Sequence, residues 1–248
     1  MRQIILTLAL ILAAAAQLTA QSGGSHFGIK GGLTLATQQW DGFDRNPLLA
    51  YHGVVFVESL PEQGQFSLFA QVGYHQKGSA IRRRLFGNPF NGGAYSLPPQ
   101  QFIFHNLSLI LGAKQRFTEV GNARAFYSFG VRGDFTVDTN LDEYDAYVTA
   151  NPVFAGIYPI NSYDFIRRIN YGITVGGGFE FPFSEYVEGL LEFTVNPDFS
   201  LQYQQPAIPN VTDPFTGEQR TLSERRIRNL TFEVTLGIRF LRKVEYID

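Results

Sequence analysis

The fold class predicted by the sequence is all-β: an eight-stranded antiparallel up-and-down transmembrane β-barrel. Three observations predict it. Eight segments alternate apolar and polar residues with a period of two, the pattern of strands whose two faces meet different surroundings. The connections between them alternate strictly between long and short, as they do when long loops lie on one side of a membrane and tight turns on the other. The polar face is built of small residues and the opposite face of Leu, Ile, Val and Phe, as a crowded lumen and a lipid-facing wall require.

Composition bounds the answer further. The 248 residues include 25 glycines, 23 phenylalanines and 12 tyrosines, with no cysteine and a formal net charge of −2. Glycine at that frequency without a Gly-x-y period excludes collagen and argues against a helical bundle. The near-neutral charge lacks the basic footprint of nucleic-acid binding, so no nucleic-acid partner is expected. Without cysteine there are no disulfides, no thiolate zinc site and no lipidated N-terminal cysteine.

The first element is an address. Arg2 supplies a positive charge, Ile4–Ala16 is apolar, and Leu18-Thr19-Ala20 offers a cleavable end. This is the layout of a secretory signal peptide over residues 1–20. Cleavage is predicted after Ala20, leaving residues 21–248 as one barrel domain. Beyond it no run of about 18 apolar residues occurs, so a membrane can be crossed only by strands.

Strands are predicted near 25–37, 48–58, 65–77, 101–117, 125–137, 166–181, 186–199 and 227–240, each long enough for the roughly 9–11 residues that cross a bilayer at a tilt. In the first, Gly28, Lys30, Gly32 and Thr34 share the small polar face. In the fifth, Tyr127, Phe129, Val131, Phe135 and Val137 oppose Phe126, Ser128, Gly130, Arg132 and Asp134. The sixth carries Gly172, Thr174, Gly176, Gly178 and Glu180 on its polar face. The last sets Leu230, Phe232, Val234, Leu236, Ile238 and Phe240 against Thr231, Glu233, Thr235, Gly237 and Arg239.

Short links fall at Ser59–Gly64, Thr118–Asn122 and Pro182–Glu185, and long ones near 38–47, 78–100, 138–165 and 200–225. The order gives four long extracellular loops, three short periplasmic turns and both chain ends in the periplasm. A secreted lipocalin-like barrel shares the alternation, but a soluble barrel has no reason to sort its loops by parity. Tyr51, Tyr74, Phe102, Phe117, Phe181 and Tyr186 fall near strand ends, where aromatic girdles meet the membrane interfaces.

With these residues in view, the chain resembles the PorT-like outer membrane β-barrel family of Bacteroidota. The matching stretches are Phe27-Gly28-Ile29-Lys30-Gly31-Gly32-Leu33, Asn106 to Phe117, Tyr171 to Glu180, and Leu236-Gly237-Ile238-Arg239-Phe240. Two features depart from the pattern: no proline stands within Asn106–Leu109, and eight residues follow Phe240. The resemblance implies an outer membrane barrel. Family roles are diverse, and one namesake role is assisting the type IX secretion pathway, which implies outer membrane or secretion-system proteins as partners.

Candidate sites follow from strand direction. Lys30, Lys114 and Arg239 should face Glu180, Glu188, Glu192 and Glu233 as a cluster in the periplasmic half of a narrow lumen, where buried ions must be paired. The expected role is a structural plug of salt bridges; a gated ion or proton path is the alternative. His26, His52, His75 and His105 show no dedicated ligand spacing and are expected as scattered strand-end residues, with no metal and no cofactor. No Gly-x-Ser-x-Gly nucleophile signature occurs, although His75, His105, Asp134 and Asp138 could meet at the outer rim. Arg82, Arg83 and Arg84 in the second long loop could grip lipid phosphates by charge-assisted hydrogen bonds, or form part of a solvated charged loop.

Tyr and Phe throughout the long loops (Phe86, Phe90, Tyr95, Tyr144, Tyr147, Phe154, Tyr158, Tyr163) suggest packed structure able to contact a partner. The expected function is therefore a non-enzymatic, monomeric barrel in contact with outer membrane lipid, serving a structural or secretion-accessory role through its loops. A rim-site enzyme and a narrow channel for ions or small solutes are the alternatives.

Overall fold

A computed structural model describes residues 24–39, 45–60, 65–81, 85–87, 94–96, 100–150, 163–212 and 217–243. In chain order the strands are β1 (Gly24–Gln39), β2 (Leu48–Ser59), β3 (Phe66–Ile81), β4 (Leu85–Gly87), β5 (Ala94–Ser96), β6 (Gln100–Val120) and β7 (Ala123–Thr139). Helix α1 (Leu141–Ala150) follows, then β8 (Ile169–Pro182), β9 (Val187–Pro197), β10 (Tyr203–Gln205), β11 (Ile208–Thr212), β12 (Gln219–Leu222) and β13 (Arg225–Lys243).

Eight of these close into a ring in the order β1-β2-β3-β6-β7-β8-β9-β13, each antiparallel to its neighbours. The seam between β13 and β1 runs from Gly24 opposite Lys243 to Gln39 opposite Arg228, so no sheet edge is left along the wall. Closure lets every wall strand satisfy its backbone groups laterally, the condition for crossing hydrocarbon with strands.

The molecule is inside-out relative to a water-soluble barrel. Arg239, Lys77, Glu58 and Glu180 are among its largest fully buried side chains, while Ile29, Leu49 and Leu236 are each about two-thirds exposed. Outward Leu, Val, Ile and Phe continue around the wall (Leu33, Val55, Leu111, Val131, Phe193). An apolar belt of that extent is stable only against lipid.

The eight predicted strands stand where the alternation placed them, with differences at the ends. Strand β6 runs to Val120, and the turn into β7 shrinks to Gly121-Asn122. Gly121 adopts φ +62 there, a conformation an L side chain rarely takes. β3 continues to Ile81 instead of ending at 77, and β8 starts at Ile169 because residues 163–165 form a 3-10 turn.

The long connections carry structure of their own: the β4–β5 and β11–β12 hairpins, helix α1, and β10, which pairs Tyr203 with Ile227 at the outer end of β13. One aromatic assignment is corrected. Phe102 is 1% exposed and points inward, because its even number in β6 shares the phase of Phe104 and Asn106. Tyr51, Phe117 and Tyr186 lie on the outer surface.

Candidate functional site

The lumen is filled by polar side chains in successive layers, and strand direction orders them from the periplasmic end outward. In the lowest layer β2 supplies Glu58, β6 Lys114 and Arg116, β7 Arg124, β8 Glu180, β9 Glu188 and β13 Arg239. Glu180 is gripped by a guanidinium fork: Arg239 Nη1 and Nη2 donate to its two oxygens, each at 2.8 Å. Arg116 Nε donates to Oε2 at 2.7 Å. Lys114 Nζ donates to Glu58 at 2.8 Å and to Glu180 at 3.3 Å. Glu58 also accepts from Ser67 at 2.7 Å and pairs with Arg116. Glu188 accepts from Arg239 Nε at 2.6 Å and pairs with Arg124.

The middle layer holds two units. Lys30 of β1 pairs with Glu192 of β9. Beside them His75 Nδ1 lies 2.9 Å from Glu233, and its ring stacks on His52 with centroids 5.3 Å apart. His52 bonds the Thr34 and Thr235 hydroxyls, both at 2.9 Å.

The upper layer is built on Lys77, whose Nζ donates to Asp134 at 2.6 Å and to both Asp198 oxygens at 3.0 Å. Arg132 bridges the same two carboxylates, 3.1 Å from Asp134 and paired with Asp198. Asn229 donates to Asp198 at 3.0 Å.

The ion pairs of the lumen join Lys30, Lys77, Lys114, Arg116, Arg124, Arg132 and Arg239 to Glu58, Asp134, Glu180, Glu188, Glu192 and Asp198, while Glu233 pairs with His75. Among these described groups seven cations stand against seven carboxylates, Glu233 included, so with neutral imidazoles they carry no net charge. Ions held in a low dielectric by several partners each are costly to separate.

Above the charges lies an apolar cap. Phe102 and Phe104 of β6, Leu141 of α1, Tyr203 of β10 and Ile227 of β13 form a buried cluster, with Tyr144, Phe165 and Ile166 against it. The Arg45 guanidinium sits 4.4 Å from the Phe102 ring centroid. Tyr144 Oη donates to the Gln101 carbonyl at 2.8 Å, and burial raises its phenol above the ordinary value of 10.0.

Of the residues singled out in the sequence, Lys114, Glu180, Glu188 and Arg239 lie together. Lys30 and Glu192 form a separate pair, and Glu233 is engaged by His75 and by Thr194, whose Oγ1 donates at 3.3 Å. The expected single cluster is thus three layers. Glu58 and Arg116, absent from the expectation, are full members. Their signal was phase: Glu58 is even-numbered in β2 like His52, and Arg116 lies two residues from Lys114.

The histidines also depart from the expectation of scattered strand-end residues. His52 and His75 meet in mid-barrel because their backbones are directly paired between β2 and β3. His105 lies on the outer wall, bonded to Tyr74 and opposite Asp138. The rim grouping of His75, His105, Asp134 and Asp138 is not formed: His75 and Asp134 point inward in different layers, and the other two face out. Arg82, Arg83, Arg84 and residues 1–20 lie outside the described residues.

A family model described as "Outer membrane protein beta-barrel domain" matches residues 15–203. No curated protein matches the sequence. Among solved structures the chain is similar to Neisserial surface protein A, at 9% identity and TM-score 0.48, covering 87% of this chain and 96% of that one. It is similar also to a major outer membrane protein of Thermus thermophilus, at 13% identity and TM-score 0.44, covering 88% and 99%. A third is the outer membrane protease OmpT of Escherichia coli, at 9% identity and TM-score 0.38, covering 88% and 97%.

Proposed function

We propose a function from one premise: the chain belongs to the outer membrane protein beta-barrel domain family. It is read as a closed, non-enzymatic scaffold in the outer membrane that works through its extracellular loops rather than through its bore. The observation that carries this reading is the lumen itself, in which three layers of paired ions lie beneath an apolar cap. An interior of that kind offers no wet passage, and eight strands enclose only enough space for side chains.

The signal-peptide layout and the PorT-like stretches support export and a secretion- or assembly-accessory role. The accessory role requires a partner at the extracellular face. Connections 82–99 and 140–168 are the natural contacts, since long loops with their own elements are usually functional. Part of their aromatic content has another duty, however: Tyr144 packs into the cap. Against a rim enzyme stands the placement of its four candidate residues on opposite faces of the wall.

The test is native co-purification of the tagged protein from detergent-solubilised outer membranes, with stoichiometry by mass spectrometry. One partner at a fixed ratio, lost when either connection is shortened, is the expected result. Recovery of the barrel alone would count against the accessory role, and absence from the outer membrane fraction would overturn the whole reading.

A further inference from the structure

The middle layer of the lumen contains a constellation that ion pairing does not account for. One ligand atom from each of His52, His75 and Glu233 lies within 4.8 Å of the other two, and all three residues are buried. Two imidazoles and a carboxylate are a donor set suited to a divalent cation of borderline softness.

Two further atoms mark the same place. His75 Nε2 and Thr174 Oγ1 are buried without a hydrogen-bond partner, on residues only 2% and 6% exposed. Both residues line one small cavity, together with His52, Glu233, Lys30 and Glu192. A buried ring nitrogen left unpaired is costly, and its neighbourhood is where a bound group belongs. His75 already holds Nδ1 2.9 Å from a Glu233 oxygen, close to the spacing that two ligand atoms of one zinc ion take.

We propose that the middle of the lumen binds one divalent cation of the zinc class, held by His52, His75 and Glu233, with a water from the adjoining cavity as fourth ligand. The charges permit it. Lys30, which lines the cavity, is neutralised by Glu192, while among the described residues Glu233 forms its ion pair with the His75 imidazole. The fit requires a modest closure, since zinc bonds of about 2.0–2.2 Å set ligand atoms roughly 3.3 Å apart in a tetrahedron. The two rings now lie parallel, 6° apart, so one imidazole must turn to face the ion. If His52 turns, Nδ1 gives up the Thr34 hydroxyl, which stands opposite Glu233 in the β1–β13 register, and Nε2 keeps the Thr235 hydroxyl behind the ring.

The test uses the full mature barrel without an affinity tag, refolded in detergent with a chelator and then supplied with Zn2+ during and after folding. The expected result is one zinc per barrel after gel filtration, and a four-coordinate Co2+ absorption spectrum when Co2+ replaces it. H52Q and H75Q should each weaken binding on the order of 100-fold, whereas H105Q on the outer wall should leave it unchanged. Thr235→Val, which removes a hydroxyl that orients His52, should weaken it about ten-fold.

A metal-free wild-type barrel, with the cavity holding water only, would overturn the proposal whether or not the variants fold. One equivalent retained in the H52Q/H75Q double variant would overturn it equally. Neither outcome touches the reading of the lumen as a plug.

Discussion

Glu180 is the carboxylate on which the lower layer converges, with Lys114, Arg116 and Arg239 all donating to it and Arg124 at 3.8 Å. Replacing it by Leu leaves these cations facing one another with only Glu58 and Glu188 between them. Removing one partner of a buried pair typically costs about 3–5 kcal/mol, because the charges left behind stay desolvated. Glu188 is a milder case. Its side chain is 14% exposed, and Arg239 keeps Glu58 and Glu180 when Glu188 is lost. Both Glu180→Leu and Glu188→Leu are therefore expected to lower the unfolding temperature of the purified barrel, the first by clearly more. Heat-dependent gel mobility or circular dichroism reads both. Equal shifts would mean that the layer acts as a diffuse charge reservoir rather than as a network centred on Glu180.

At the scale of elements, the cap behaves differently from the wall. Strands β6 and β7 are locked to their neighbours along their length, whereas α1 is held by Leu141, by Tyr144 and by the Asn140 side chain, which accepts from Ile103 N at 2.8 Å. Tyr144 makes the cap sensitive to alkali. Its phenol is raised above 10.0 in the folded cap, so as pH climbs past 10 the released tyrosine ionises first. The released state then binds fewer protons than the packed one, and cap stability falls with rising pH in that window; below pH 10 the group contributes no slope. Protease cleavage in the 140–168 connection should therefore accelerate above pH 10 while the wall remains resistant, and Tyr144→Phe should flatten the step.

This division also marks what the sequence made legible. The wall strands could be read because a period of two is local. The phase of Phe102 was legible from Asn106 and Lys114 in the same strand, but the cap was not, because it joins Phe102 to Tyr203 and Ile227 across long stretches of sequence. The ionic partners were half legible for the same reason: facing inward is a local property, while Arg116 meeting Glu180 joins positions 64 apart in sequence. His52 and His75 could be found only once the β2–β3 register was known.

For the whole molecule, the balance of seven cations and seven carboxylates decides what the barrel can pass. An ion entering from the periplasm would have to displace groups from the Glu58–Arg116–Glu180–Arg239 layer, then from Lys30–Glu192 and His75–Glu233, then from Lys77–Asp134–Asp198, before meeting an apolar cap. Each displacement leaves a partner unpaired in low dielectric, and those costs fall in series along one path. Thermal breathing of a single layer consequently opens nothing, because the next layer is still shut. Planar-bilayer recordings of the unmutated barrel should show no steady single-channel current. Glu188→Leu should stay silent as well, since it weakens the lowest layer and leaves two layers and the cap in place. Large regular currents from the unmutated protein would require a continuous wet lumen, and would transfer the function from the loops to the bore.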